Sequence, residues 1–205
     1  CDGVSLVTIA NATDTPVYVY SANRIKHNIE RLKTAFEPLG ASIHYSAKAN
    51  ASLTLLRLIH AAGIGVDAVS AGEIFRAVTA GINANQIVFA GVGKTREELI
   101  YALNAGVGWF NVESRAELEL LNMLAGEYEL SAVIALRLNP GIHAKTHRHI
   151  ATGHFGAKFG MPPDEVVAIL ARRANYPHLN ISGLHIHIGS QLGDVQETVD
   201  AVRAA

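Results

Sequence analysis

IVFAGVGKTREELIYALNAGVGWFNVESRAELELLNMLAG, residues 87–126, carries one pattern twice. A short apolar run opens each half, a helical spacing of apolar residues follows, and a glycine closes it. Leu99, Ile100 and Leu103 precede Gly106; Leu118, Leu120, Leu121 and Leu124 precede Gly126. Apolar residues three and four apart mark one face of a helix, and glycine accepts the left-handed conformation that ends one. Strand, helix, glycine and strand again is a βα unit.

The same rhythm runs outward in both directions. β-type runs begin near Ile43, Gly65, Ile87, Gly108 and Ala132, 21 to 24 residues apart. Leu53, Leu55, Leu56, Leu58 and Ile59 precede Gly63, and Ile74, Phe75 and Val78 precede Gly81. Ser52, Ser70 and Ser114 stand where helices need an N-cap, and Glu117 follows Ser114 at the capping-box distance. ISGLHIHIG, residues 181–189, reads as a sixth strand. VFAGV and AVIALRL are apolar on both faces, as in parallel strands covered by helices. The class is therefore α/β, with a doubly wound sheet and a (β/α)8 barrel both open. Near-equal units in a row favour the TIM-barrel arrangement. Six units fall short of eight by roughly 45 residues at this spacing, so residues 1–205 read as an N-terminal, incomplete barrel domain. TPVYVYS (15–21) and the amphipathic stretch from Asn23 to Phe36 predict a lead-in strand and helix.

Composition bounds the function. The 205 residues are 49% hydrophobic and 17% charged, with 17 basic and 18 acidic side chains and a net charge of −1. A balanced chain of this kind offers no electrostatic footprint for nucleic acid or an anionic membrane. No apolar run reaches membrane-spanning length, and no signal-peptide pattern is present. The single cysteine, Cys1, excludes an internal disulfide and points to a reducing, cytoplasmic setting. A first-position cysteine also fits a mature lipoprotein, but a fragment boundary is the simpler reading.

The strand ends carry the chemistry. HYSAKAN (44–50) stops a short strand pattern at Lys48, placing an amine at a C-terminal strand tip, where parallel barrels build their sites. A lysine in a partly apolar pocket there loses its proton easily and can attack a carbonyl; a lysine merely leaving the core is the plainer alternative. GLHIHIGSQ (183–191) sets His185 and His187 on one strand face, followed by Gly189 and Ser190. An imidazole can stack on an aromatic ring, and a hydroxyl beside backbone N–H groups can hold phosphate. Core histidines or a His-x-His zinc site are the rivals, the latter unsupported by HExxH or paired cysteines. Asp67, in VDAVSAGE, is a carboxylate within a strand and needs a partner such as a neighbouring lysine; Ser70 and Glu73 suit helix capping. Asn111 and Glu113 occupy another strand tip. Arg137, inside the apolar ALRL, requires an anion or acceptor. AGVGKT lacks the first glycine of a phosphate loop and reads as a tight turn. Lys158 has no assignable role, and the 140–163 stretch, with His143, His147, His149 and His154, has the length of a functional loop.

Taken in order, YSAKAN, VDAVSAGE, AGVGKT, FNVES, LRLNPG…AKTH…IATG…KFG and GLHIHIGSQ resemble the alanine-racemase-like, fold-type III pyridoxal-phosphate decarboxylases, in their diaminopimelate branch. The resemblance runs from about Val17 to Gln191. It implies pyridoxal 5'-phosphate as cofactor, bound through a Schiff base to Lys48, with Asp67 beside that lysine. It further implies His187 stacked on the pyridine ring, Ser190 on the phosphate, Arg137 supporting the cofactor and Pro140–Gly160 bordering the substrate. The implied reaction is decarboxylation of meso-2,6-diaminopimelate to L-lysine in a homodimer with shared sites. Carboxynorspermidine, ornithine or arginine as substrate, or a non-catalytic protein-binding role, are the alternatives. The family's glycine-rich phosphate loop, Glu-Pro-Gly-Arg segment and Cys-Glu-Ser-Gly-Asp segment do not occur here, so these residues alone are expected to be inactive.

Overall fold

The computed structural model describes residues 1–141, 159–190 and 194–205. Six strands form one parallel sheet: β1 (His44–Ser46), β2 (Gly65–Ala68), β3 (Ile87–Phe89), β4 (Trp109–Val112), β5 (Ala132–Leu138) and β6 (Leu179–Ile186). Their spatial order is their chain order, β1 to β6. A doubly wound sheet reverses its order at a switch point; this one never does. All six strands line one hollow of about 1210 Å³ together with the second helix. The sheet therefore curls in the manner of a (β/α)8 barrel, with six units described.

The helices are α1 (Leu6–Thr13), α2 (Ala22–Phe36), α3 (Leu53–Ala61), α4 (Ala71–Thr79), α5 (Arg96–Ala105), α6 (Arg115–Glu127), α7 (Pro163–Ala171) and α8 (Val195–Ala204). Side-chain oxygens at Ser52, Ser70, Thr95 and Ser114 accept the third backbone N–H of α3, α4, α5 and α6. Each βα turn thus satisfies a donor that the helix would otherwise leave unpaired. Leu56, Ile74, Leu99 and Leu118 pack fully buried against Val66, Ile87, Phe110 and Ile134 in one continuous core. Central strands are buried on both faces, whereas β1 and β6, each with one neighbour, are more exposed.

Three expectations change. The capping box falls on Thr95 and Glu98, not on Ser114 and Glu117, because the Glu117 carboxylate is drawn to a buried lysine. Gly63, Gly81 and Gly106 have positive φ after their helices, but Gly126 lies inside the last turn of α6, and Glu129 takes the positive φ. TPVYVYS forms no strand and pairs with nothing in the sheet, leaving Tyr18 91% exposed. Strand alternation without an adjacent sheet edge has no ladder to join. Helix α1, upstream of it, has no buried residue and shows no amphipathic stripe to predict it from.

Gly108 shows how closely the units are spaced. Its N–H donates to the Ala84 carbonyl at 3.1 Å, and a Cβ there would press on the Asn85 carbonyl oxygen. Backbone rather than a flexible side chain opposes it, so Gly108→Ala is expected to cost about 1–3 kcal/mol by overpacking. The urea midpoint of the variant measures this, and an unchanged midpoint would contradict the packing account.

Candidate active site

A cavity of about 590 Å³ opens at the C-terminal ends of the strands. Ligand pockets commonly span about 300–1,000 Å³. Lys48, Asp67, Arg137, His185 and His187 line it, with His44, Asn111, Val88, Ala90 and Phe159. The sequence places these groups on four different strand units, and the fold gathers them into one wall. Ser190 stands three residues past His187 in an exposed turn and is not among the lining residues. Lys158, Gln191 and the histidines at 143, 147, 149 and 154 lie outside the described residues, as does most of the Pro140–Gly160 segment.

Lys48 owes its position to a clamp. Strand β1 ends at Ser46, and a single 3-10 turn, Ala47–Ala49, follows. Ala47 is 1% exposed and pins that turn into the core. The Tyr45 hydroxyl donates to the Asn50 carbonyl at 3.0 Å, and Asn50 Oδ1 accepts the Ser52 N–H at 2.9 Å. Between these anchors Lys48 stands exposed toward the cavity, and its ammonium makes no ion pair or hydrogen bond among the described residues. The apolar pocket expected around it is not formed by these strands alone.

Asp67 and Ser46 are register partners on β2 and β1, and the Ser46 hydroxyl donates to Asp67 Oδ2 at 3.0 Å. The carboxylate's described partner is thus a serine, not the neighbouring lysine. Glu73 serves the turn, as capping chemistry predicts, by accepting the Val69 N–H at 2.8 Å.

Arg137 finds the anion that its burial demands. Its Nη1 donates to both carboxylate oxygens of Glu113, at 2.9 and 2.7 Å, and the guanidinium lies 5.2 Å from the Phe159 ring centroid. Both side chains are over nine-tenths buried. A second buried pair adjoins it. Lys94 Nζ donates to Glu117 Oε1 and to the Asn111 carbonyl, each at 2.6 Å, over the face of Phe89 at 5.3 Å. Burial raises the Glu117 carboxyl above its ordinary range despite the opposing pull of Lys94. AGVGKT is therefore a turn whose lysine is consumed inside the protein, with no ammonium left for a phosphate. Sequence reading passed over Lys94 and Glu117 as interacting groups.

A β-bulge tunes the last wall. Between Ile134 and Ala135 the register with β6 slips, so that Ile134 pairs with Ile181 and Ala135 with Gly183. Ser182 is the extra residue, and beyond it Arg137 stands directly opposite His185. Bulges of this kind re-aim side chains next to sites. Burial, reinforced by the Arg137 charge and then His187, Lys94 and Lys48, pushes His185 down to about 3. Burial first, then Arg137 and Lys48, also lowers His187. Both imidazoles are thus held neutral. Among the described residues no group of three or more metal-ligating side chains forms a metal site.

The family model for the pyridoxal-dependent decarboxylases, pyridoxal binding domain, matches residues 22–205. The chain belongs to this family. Diaminopimelate decarboxylase of Aquifex aeolicus is 44% identical over 201 residues, 98% of this chain and 47% of the relative. That of Zymomonas mobilis is 42% identical over 95% of this chain and 47% of its own length. The crystal structure of Helicobacter pylori diaminopimelate decarboxylase complexed with L-lysine superposes with a TM-score of 0.91 at 37% identity, covering 96% of this chain and 50% of that one. The chain spans about half the length of the relatives it matches. Membership of this pyridoxal-dependent family assigns pyridoxal phosphate as the cofactor, and the donor set fits it. The cavity offers a primary amine with no partner among the described residues, two neutral imidazoles and a guanidinium, suited to an aldehyde, a flat ring and an anion. No helix among the described residues is long and apolar enough to cross a membrane.

Proposed function

We propose that residues 1–205 are the N-terminal, cofactor-binding barrel part of a diaminopimelate decarboxylase, converting meso-2,6-diaminopimelate to L-lysine. The observation that carries this reading is the Lys48 amine, without a partner among the described residues, in the cavity shared with Arg137 and His187. Identities of about 40% to proteins of that name over more than nine-tenths of the chain support the substrate.

Each residue then has a task. Lys48 would hold the cofactor through its aldehyde, the amine condensing there with release of water. His187 would offer its imidazole face to the ring. Arg137, fixed by Glu113, supports the cofactor as a rigid cation, and Asp67, fixed by Ser46, sets the field near Lys48. Ser190, which does not line the cavity among the described residues, is the candidate hydroxyl for the phosphate. When bound, pyridoxal phosphate accepts the electron pair left on the α-carbon as the carboxylate departs as carbon dioxide. The full protein works as a cytoplasmic homodimer with shared sites, the remaining barrel strands and a second domain coming from the half that its relatives carry beyond this match.

The test is carbon dioxide release by the longest natural form of this chain, loaded with pyridoxal phosphate, from meso-diaminopimelate, carboxynorspermidine, ornithine and arginine. Preference for meso-diaminopimelate is expected. Preference for another of the four reassigns the substrate, and loaded protein that turns over none of them defeats the decarboxylase reading.

A further inference from the structure

His185 is the cavity residue for which the proposed function has no task, and its surroundings are unusual. Its Nδ1 is shut off from solvent and has no hydrogen-bond partner among the described residues. Its Nε2 has no described partner either, yet is not shut off, and the ring lines the cavity. An imidazole that is neutral carries one N–H and one lone pair. Burying the N–H without an acceptor costs more than burying a lone pair, since orphaned buried donors are the rarer case. The proton therefore sits on Nε2, on the side open to the cavity.

We infer that His185 is a ligand-binding residue, in the Nε2–H tautomer, donating a hydrogen bond to an anionic oxygen of the bound cofactor. Lys48 and Arg137 bring two cations to the same space, where Glu113 already pairs Arg137 and Asp67 also lines the wall. A neutral donor adds direction there without adding a third cation. The inference rests on the cofactor reading above. It gives the cavity-facing Nε2 a task, while the inward Nδ1 keeps its lone pair and the imidazole stays neutral. A structural histidine would instead be expected to satisfy both nitrogens within the protein.

The test compares, in the longest natural form of this chain, the unaltered protein with His185→Leu and His185→Gln. Affinity for pyridoxal phosphate is read from quenching of protein fluorescence, and stability from the urea midpoint. Leucine fills similar space but donates nothing, so affinity is expected to fall about 10- to 100-fold, the range for a hydrogen bond to a charged group. Glutamine keeps a donor and is expected to recover part of the loss. Stability of His185→Leu should be equal or higher, because a buried unpaired nitrogen is removed; a merely structural histidine would show the reverse. Pyridoxal without its phosphate separates the two sources of anionic oxygen. A penalty that persists with pyridoxal assigns the ring oxygen, and one that vanishes assigns the phosphate; both support the contact. Equal affinity of His185→Leu and the unaltered chain for pyridoxal phosphate overturns the contact alone. Failure of the unaltered chain to load overturns the cofactor reading and this contact with it.

Discussion

Lys48→Ala is expected to abolish the borohydride-stable pyridoxyl adduct of the longest natural form of this chain. Mixing the unaltered protein with pyridoxal phosphate and reducing it should fix one pyridoxyl group, mapped by peptide mass spectrometry to Lys48. Competing amines are poorly placed. Lys94 is buried and held by Glu117 and Asn111, and Lys33 bonds Glu30 and the Ala62 carbonyl outside the cavity. Lys48 alone among the described lysines lines the cavity. Because its side chain is exposed and has no partner among the described residues, its removal should move stability by no more than about 0.5 kcal/mol. Loss of the adduct in Lys48→Ala then reports chemistry rather than unfolding. Lys48→Arg sharpens the point: it keeps the charge but stays protonated and cannot condense with an aldehyde. Equal adduct in Lys48→Ala, or labelling scattered over surface lysines of the unaltered chain, would defeat the assignment.

How much of this was legible in the sequence depends on distance along the chain. Strand starts at Gly65, Ile87 and Ala132 match the periodicity, and His44 and Trp109 lie one residue from it. Local signals suffice there, because a cap and its N–H are three residues apart. Lys48, Asp67, Arg137 and His187 could be singled out for a similar reason, since each breaks an apolar strand pattern or follows it at once. Their partners were harder to see. Ser46 meets Asp67 across 21 residues, Lys94 meets Glu117 across 23, and Glu113 meets Arg137 across 24. Those separations equal the repeat itself. In a barrel whose strand order is its chain order, equivalent positions of successive units are neighbours. Searching for complementary polar residues one repeat apart would have found all three pairs. No such rule reaches α1 or the segment 17–21, which pair with no strand of the sheet. Nor does it reach the bulge at Ser182, where local pairing rather than composition decides which residue faces Arg137.

The pair with the widest separation between its members' visible roles yields the largest stability prediction. Lys94 looks in sequence like a surface residue of a glycine turn, yet its side chain is 0% exposed and that of Glu117 8%. Its ammonium ties the turn after β3 to the β4 backbone and to the first turn of α6. Lys94→Met should therefore be severe, because it leaves a buried carboxylate and the Asn111 carbonyl without their donor. Breaking one side of a buried pair costs about 3–5 kcal/mol, out of a total stability of about 5–15 kcal/mol. Removing both charges together is a different matter: Lys94→Met with Glu117→Leu relieves two desolvation penalties and should recover most of the loss. A double-mutant cycle on urea midpoints isolates that coupling. The pH dependence follows from Glu117. Its folded pKa is already raised by burial, and losing Lys94 removes the first-ranked opposing influence and raises it further. A carboxyl with a raised folded pKa opposes folding when ionised. The deficit of Lys94→Met should thus be full at neutral pH and shrink as the pH falls through the folded pKa toward the ordinary 4.5. A deficit independent of pH, or a double variant no better than the single one, would mean that lost packing and not the stranded charge governs the site.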